Sequence, residues 1–178
     1  IFLSKLLTKY NQKHFIVSRG YKKKLSGEAI VSNGKSLLLT PALSGDEPYL
    51  LGRLLPFVPV VVGDKLRAIE LAKESFGLSA CIIDDGFQTF KIKKNIEILL
   101  LDASVSLNQY KLLPHGVLRE PLKQIIRADV VVLTKTNFIS KSQLSLFKQA
   151  FLKYINKKQQ LLLCAEYVSQ LLVLESGG

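Results

Sequence analysis

Cys81-Ile82-Ile83-Asp84-Asp85-Gly86-Phe87-Gln88 is a short apolar run that stops on two adjacent carboxylates and a glycine turn. A buried strand ending there presents both acids at its carboxyl end, where open α/β sheets hold their ligands. Two readings follow: a site for a metal ion or phosphate chemistry, or a pair of turn-capping aspartates.

Similar runs recur on both sides of this stretch. Toward the amino end, β-type runs cover 14–18, ending in Ser18-Arg19-Gly20-Tyr21, and 59–62, ending in Gly63-Asp64. A helix predicted over 65–76 stops at Gly77. Toward the carboxyl end, runs at 96–101 and 129–134 finish on Asp102 and Lys135, helical residues span 141–154, and a last run covers 161–165. Residues 1–12 form an amphipathic helix with Phe2, Leu3, Leu6, Leu7 and Tyr10 on one face and Lys5, Lys9 and Lys13 on another. That helix covers a sheet or lies on a membrane surface. Asn33-Gly34 joins β-type runs at 28–32 and 35–40, a hairpin signal. Strands alternating with helices predict an α/β fold: a mostly parallel sheet with helices on both faces and one β-hairpin insertion. Length and composition predict a single domain over 1–178.

Twenty-five Lys and Arg against 14 Asp and Glu give a net charge of +11, which favours anionic partners: nucleotide phosphate, nucleic acid or an acidic membrane surface. Nucleic acid is the weakest of these, because the Lys-rich segments lack interleaved aromatics and no recognition motif appears. Cys81 and Cys164 lie far apart in apolar runs and read as reduced core thiols. No apolar stretch reaches transmembrane length. The chain contains no methionine, even at position 1, and reads as a fragment.

The acids Asp46, Glu47, Asp64, Asp84, Asp85 and Asp102 all follow strands or sit in Gly/Pro turns. Convergence of such acids at one sheet edge is what phosphoryl transfer uses, one carboxylate holding Mg²⁺ and another accepting the proton of the attacking hydroxyl. Asp46 and Glu47 equally suit a helix amino terminus. Arg119 beside Glu120, in the dense turn 112–121, suits a phosphate and metal clamp or a surface ion pair. His115, between Pro114 and Gly116, is expected to be exposed, and His14 to be structural. Gly34-Lys35-Ser36 resembles the end of a Walker A loop, but Ala29 stands where the first glycine belongs and no helix follows.

Ser18-Arg19-Gly20-Tyr21, Gly45-Asp46-Glu47-Pro48, Asp84-Asp85-Gly86-Phe87-Gln88, Leu112-Leu113-Pro114 through Gly116, and Leu118-Arg119-Glu120-Pro121 occur in that order. Together they resemble the tetraacyldisaccharide 4'-kinase family of lipid A biosynthesis, over roughly 16–137. The resemblance implies a P-loop NTPase/kinase-like fold that moves the γ-phosphate of ATP, with Mg²⁺, onto the 4'-hydroxyl of a lipid A disaccharide precursor. It implies a peripheral protein on the cytoplasmic face of the bacterial inner membrane. Carried over by motif, Asp46 is the base with Glu47 beside it, and Asp84 and Asp85 serve the metal. Arg119 and Glu120 fall on the nucleotide side, and Ser18, Arg19, Gly20 and Tyr21 on the substrate side.

The departures matter equally. The family's Walker A strand and loop, expected just before the first helix, are missing here, as is its later catalytic histidine, so the chain is expected to be truncated at both ends with little activity alone. Thr89 stands where the family usually has His, and Asp64-Lys65 where it usually has Asp-Arg, which keeps charge but loses a bidentate fork. The alternative is a non-catalytic remnant or basic module that binds anionic lipid or another polyanion.

Overall fold

The structure, a computed structural model, describes residues 1–156 and 159–168. The chain divides into two compact units, residues 1–92 and 93–178.

The first unit holds a four-stranded sheet in the order β2-β3-β1-β4, from β1 (His14–Ser18), β2 (Ala29–Asn33), β3 (Pro59–Val62) and β4 (Ala80–Ile83). β1 runs parallel to β3 and β4, whereas β2 is antiparallel to β3. All five residues of β1 are buried, as a central parallel strand requires. Ile16, Val31, Val60 and Val62 pack with Leu55 and Val58 and with Leu51 of α3 (Asp46–Leu54). Phe15, Val17 and Val61 pack on Ala68 and Ala72 of α4 (Lys65–Phe76), whose small side chains let the helix lie close. Helices thus cover both faces, as the alternation predicts. Asp64 caps α4 by accepting from the Leu66 and Arg67 amides, and Gly77, at φ 63°, ends it in the left-handed conformation.

The amphipathic helix is α1 (Phe2–Lys9), and it is tied to β1 by polar atoms. Ser4 and His14 are both buried, with Ser4 Oγ 2.6 Å from His14 Nε2 and His14 Nδ1 2.9 Å from the Gln12 carbonyl oxygen. Since a carbonyl only accepts, Nδ1 carries the proton and Nε2 accepts from the serine hydroxyl. His14 is structural, as expected.

The hairpin differs from its prediction. The Asn33-Gly34 turn forms, with Asn33 Oδ1 accepting from the Lys35 and Ser36 amides. The run at 35–40 does not become a strand, however, and its pairing reduces to one bridge between Ser32 and Leu37. α2 (Pro41–Ser44), opening on proline, turns the chain away within a few residues, and β2 spends its ladder on β3 instead.

The second unit holds a parallel sheet in the order β5-β6-β7, from β5 (Ile98–Asp102), β6 (Val130–Thr134) and β7 (Leu161–Cys164). Val131 and Leu133 are fully buried. α5 (Lys141–Leu152) starts on a capping box between Ser140 and Gln143. It contributes Phe147 and Phe151, which meet the Tyr110 ring edge-on. The in-register set Ile98, Leu100, Leu161 and Leu163 is exposed, so helices on both faces hold for the first unit and not for this sheet's described residues. Cys164 is exposed and Cys81 half-buried; both are free, so the core-thiol expectation fails for Cys164. The cause is its place on β7, whose residues are largely open. Burial pushes the Cys81 thiol up to about 12, with Lys73 opposing.

Phe15→Ala is expected to cost about 3–5 kcal/mol in urea unfolding and Phe2→Ala, with its side chain in solvent, less than about 0.5 kcal/mol. At the end of β5, burial pushes the Asp102 carboxyl up, but hydrogen bonds from Lys135 and Ser104 outweigh it and hold the group below its ordinary value. Its contribution to stability is therefore full above the unfolded carboxyl's titration and lost as pH falls through the folded one. Asp102→Asn should lower the urea midpoint near pH 7, and the gap to the parent should close as pH falls through the folded carboxyl's titration.

Candidate active site

The register of the first sheet brings three strand ends to one level. Val17 pairs with Ile83 and Ser18 with Val62, so Ser18, Gly63 and Asp84 leave the sheet together. Backbone bonds continue the ladder past its strands, from Gly63 N to Ser18 O at 3.1 Å and from Asp84 N to Val17 O at 2.9 Å. The buried Ser18 hydroxyl then donates to Asp84 Oδ2 at 3.0 Å. A residue expected on the substrate side and one expected on the metal side are thereby joined directly.

The next turn is set by two glycines. Gly20 and Gly45 adopt φ +70° and +89°. A Cβ on Gly20 would lie 2.7 Å from the Ser44 carbonyl oxygen, and one on Gly45 would lie 2.9 Å from the Tyr21 carbonyl oxygen. Only glycine permits both the conformation and the approach. The Ser18-Arg19-Gly20-Tyr21 turn is therefore pressed against the Gly45-Asp46-Glu47 turn. Arg19, Tyr21, Asp46 and Glu47 are all exposed, the two acids in the first turn of α3 where the helix dipole favours negative charge.

Asp85 is exposed at φ 48°, unusual for a non-glycine residue. The Lys65 ammonium, from the first turn of α4, donates to the Asp85 carbonyl and to Thr89 Oγ1, the latter at 3.3 Å. Two of the positions at which the chain departs from the resemblance, Lys65 and Thr89, thus touch each other. Lys65 is a site residue that the sequence reading missed as a partner of Asp85. Asp64, a strand-end acid of the same edge, uses Oδ1 to cap α4.

Arg119 and Glu120 belong to the second unit. Glu120 pairs with Arg127 at 2.9 Å, with its Oε1 buried and unbonded. Arg119 and His115 are exposed. The turn before them is held by its own backbone: Val117 N bonds Gln109 O, Leu118 N bonds Lys111 O, and a Cβ on Gly116 would lie 2.3 Å from Gln109 O. A further pair went unread in the sequence: Lys135 Nζ lies 2.6 Å from Asp102 Oδ2. Its signal was two strands ending on opposite charges, which the parallel pairing of β5 and β6 makes neighbours.

Among the described residues no three His, Cys, Asp or Glu converge as a metal cage. Asp84 and Asp85, with the Ser18 hydroxyl on Asp84, form an all-oxygen set of the kind Mg²⁺ uses when one or two carboxylates and substrate phosphates complete its octahedron. The residues fit that ion and would be a poor home for one needing nitrogen or sulfur ligands.

Known proteins are similar to this chain in sequence and fold. The family model described as "Tetraacyldisaccharide-1-P 4'-kinase" matches residues 1–170. The tetraacyldisaccharide 4'-kinase of Halothermothrix orenii is 35% identical over 157 residues, covering 86% of this chain and 41% of that protein. That of Aquifex aeolicus is 47% identical over 120 residues, covering 67% and 38%. A crystal structure of LpxK from Aquifex aeolicus in complex with ATP superposes with a TM-score of 0.68 at 42% identity, covering 74% of this chain and 42% of that one. The chain spans about two fifths of the length of these relatives. With a family match across nearly its whole length, the chain belongs to the tetraacyldisaccharide-1-P 4'-kinase family.

Proposed function

We propose that this chain carries the acceptor and metal side of a kinase that transfers the γ-phosphate of ATP to the 4'-hydroxyl of a tetraacyldisaccharide 1-phosphate, a lipid A precursor. The observation that carries this reading is the Ser18–Asp84 hydrogen bond. It fixes a carboxylate at the carboxyl edge of three parallel strands, where P-loop-type folds place the acid that serves the metal. The likeness to a relative crystallised with ATP supports the nucleotide and the kinase-like fold.

In this mechanism Ser18 to Tyr21 hold the acceptor sugar, and the Gly20–Gly45 contact sets Asp46 beside it. The Asp46 carboxylate takes the proton of the 4'-hydroxyl as its oxygen bonds to the γ-phosphorus and the bond to the β-phosphate oxygen breaks, releasing ADP. Glu47 stands beside the base in the first turn of α3. Asp84 and Asp85 would hold Mg²⁺, which when bound supplies positive charge to the phosphate oxygens. Ser18 orients Asp84 through its hydroxyl, and Lys65 holds the backbone of Asp85. Arg119 and Glu120 are assigned to the nucleotide by motif alone. The exposed Phe2 of α1 and Tyr10 at its end, with Lys5 and Lys9, support a peripheral position on the cytoplasmic face of the inner membrane. No helix among the described residues is long and apolar enough to cross a membrane.

Transfer of label from γ-³²P-ATP to the lipid tests the reading in the protein that carries this sequence. Asp46→Ala should lower kcat by about 10²–10⁴-fold with little change in ATP affinity, and equal losses in both would move Asp46 to the nucleotide side. Calorimetry on the 178-residue chain should show ATP–Mg²⁺ binding with Kd of about 1 μM to 1 mM, lost in Asp84→Ala. A folded chain that binds no nucleotide would favour a non-catalytic remnant.

A further inference from the structure

The Arg119-Glu120 turn gains a third member in the structure. Arg127 Nη2 lies 2.9 Å from Glu120 Oε2, and the two side chains are only 24% and 21% exposed, so water does little to screen the pair. The other carboxylate oxygen, Glu120 Oε1, is buried and accepts no hydrogen bond from any described donor, Arg119 next in sequence included. Buried acceptors are nearly always satisfied, and one that is not costs stability unless a group from outside the chain completes it.

Arg127 is itself set by buried backbone. It closes the short 3₁₀ helix Leu122–Arg127, which enters on Pro121. Ile125 and Ala128, on either side of that end, are buried, and the Ala128 amide donates to the Ile125 carbonyl at 3.0 Å. The buried Gln160, just before β7, clamps the same end: its side-chain amide donates to the Ile125 carbonyl at 2.9 Å and to the Ala128 carbonyl. Its Oε1 accepts from the Asn156 amide at 2.7 Å. The guanidinium thus reaches out from a fixed point, holds Oε2 and leaves Oε1 as the open acceptor of the carboxylate. A phosphate oxygen, itself a negative acceptor, cannot complete Oε1; a divalent cation or a hydroxyl donor can.

We propose that Arg127 is a positioning residue for nucleotide binding, which by holding Glu120 Oε2 keeps Oε1 for the Mg²⁺ or the ribose hydroxyl that ATP–Mg²⁺ brings. This rests on the kinase reading, which supplies the nucleotide.

Calorimetric titration of ATP, in Mg²⁺ and in EDTA, tests it on the protein that carries this sequence and on Arg127→Met, Glu120→Gln and the double variant, with urea unfolding to show that each is folded. Arg127→Met and Glu120→Gln should each weaken ATP–Mg²⁺ binding by about 10–100-fold. The double variant should bind no worse than the weaker single one, because Arg127 acts through Glu120. A loss confined to Mg²⁺ assigns Oε1 to the ion, and a loss that persists in EDTA assigns it to the ribose. Should Arg127→Met fail to fold, Arg127→Lys, which keeps the charge without the planar fork, takes its place with a smaller loss in the same direction. Losses that add in the double variant would put Arg127 on the nucleotide itself and overturn the proposal. A parent that binds ATP–Mg²⁺ while the Arg127 variants match it would sink the proposal alone, leaving the pair a structural contact. A folded parent that binds no ATP–Mg²⁺ would sink the kinase reading and the proposal with it.

Discussion

The parallel placement of β1 between β3 and β4 is the constraint on which the candidate site depends. β1 is wholly buried, so its register is set by packing on two faces, Ile16 toward α3 and Phe15 and Val17 toward α4. A slip of one residue would exchange those faces, which makes slippage costly. Because the register is held, Ser18 and Asp84 must emerge side by side, and a hydroxyl-to-carboxylate bond follows from strand packing. The polar contact needs no help from the loops.

A second constraint acts through the glycines. Gly20 and Gly45 come from different parts of the chain, yet each would place a Cβ on backbone atoms of the other's turn. Two turns that exclude side chains from their contact cannot easily drift apart, since their close approach excludes intervening water. The exposed Asp46 and Glu47 therefore stand on a fixed base although, among the described residues, neither side chain makes a hydrogen bond or ion pair. Rigid backbone beneath free side chains is what a group transferring a proton to or from a bound ligand requires.

Much of this was legible in the sequence, for reasons specific to each element. The strands at 14–18 and 59–62 and the helix at 65–76 fall where apolar runs end on Gly, Asp or Ser, because those residues both stop a strand and cap the helix that follows. The motifs Ser18-Arg19-Gly20-Tyr21 and Asp84-Asp85 were readable as strand ends, but their direct bond was not, since it depends on which strands are neighbours. The failed strand at 35–40 shows the opposite limit. Its local pattern was right for β structure, and the Asn33-Gly34 turn does form, yet Pro41 starts a helix too soon for a ladder to grow. Exposed Ile98, Leu100, Leu161 and Leu163 show that an apolar run predicts a strand more securely than it predicts what covers the strand.

The contact between Lys65 and Thr89 bears on how the chain's departures from the family pattern are read. Taken singly, a lysine in place of arginine and a threonine in place of histidine each remove planar, directional hydrogen bonding. In the structure the two residues meet, and the same ammonium also reaches the Asp85 carbonyl. A flexible four-carbon stem ending in three rotatable donors can serve a carbonyl and a hydroxyl that lie in different directions, where a guanidinium fork is built for a flat, bidentate partner. Thr89 supplies an acceptor of the kind this donor can use, and its position is itself fixed by the Thr89 amide bonding Gly86 O at 2.9 Å. The changes are therefore compatible with each other, and what they hold in common is the backbone of the Asp84-Asp85 turn. Lys65 supports the Asp85 backbone from the start of α4, and Ser18 holds Asp84 independently of that contact.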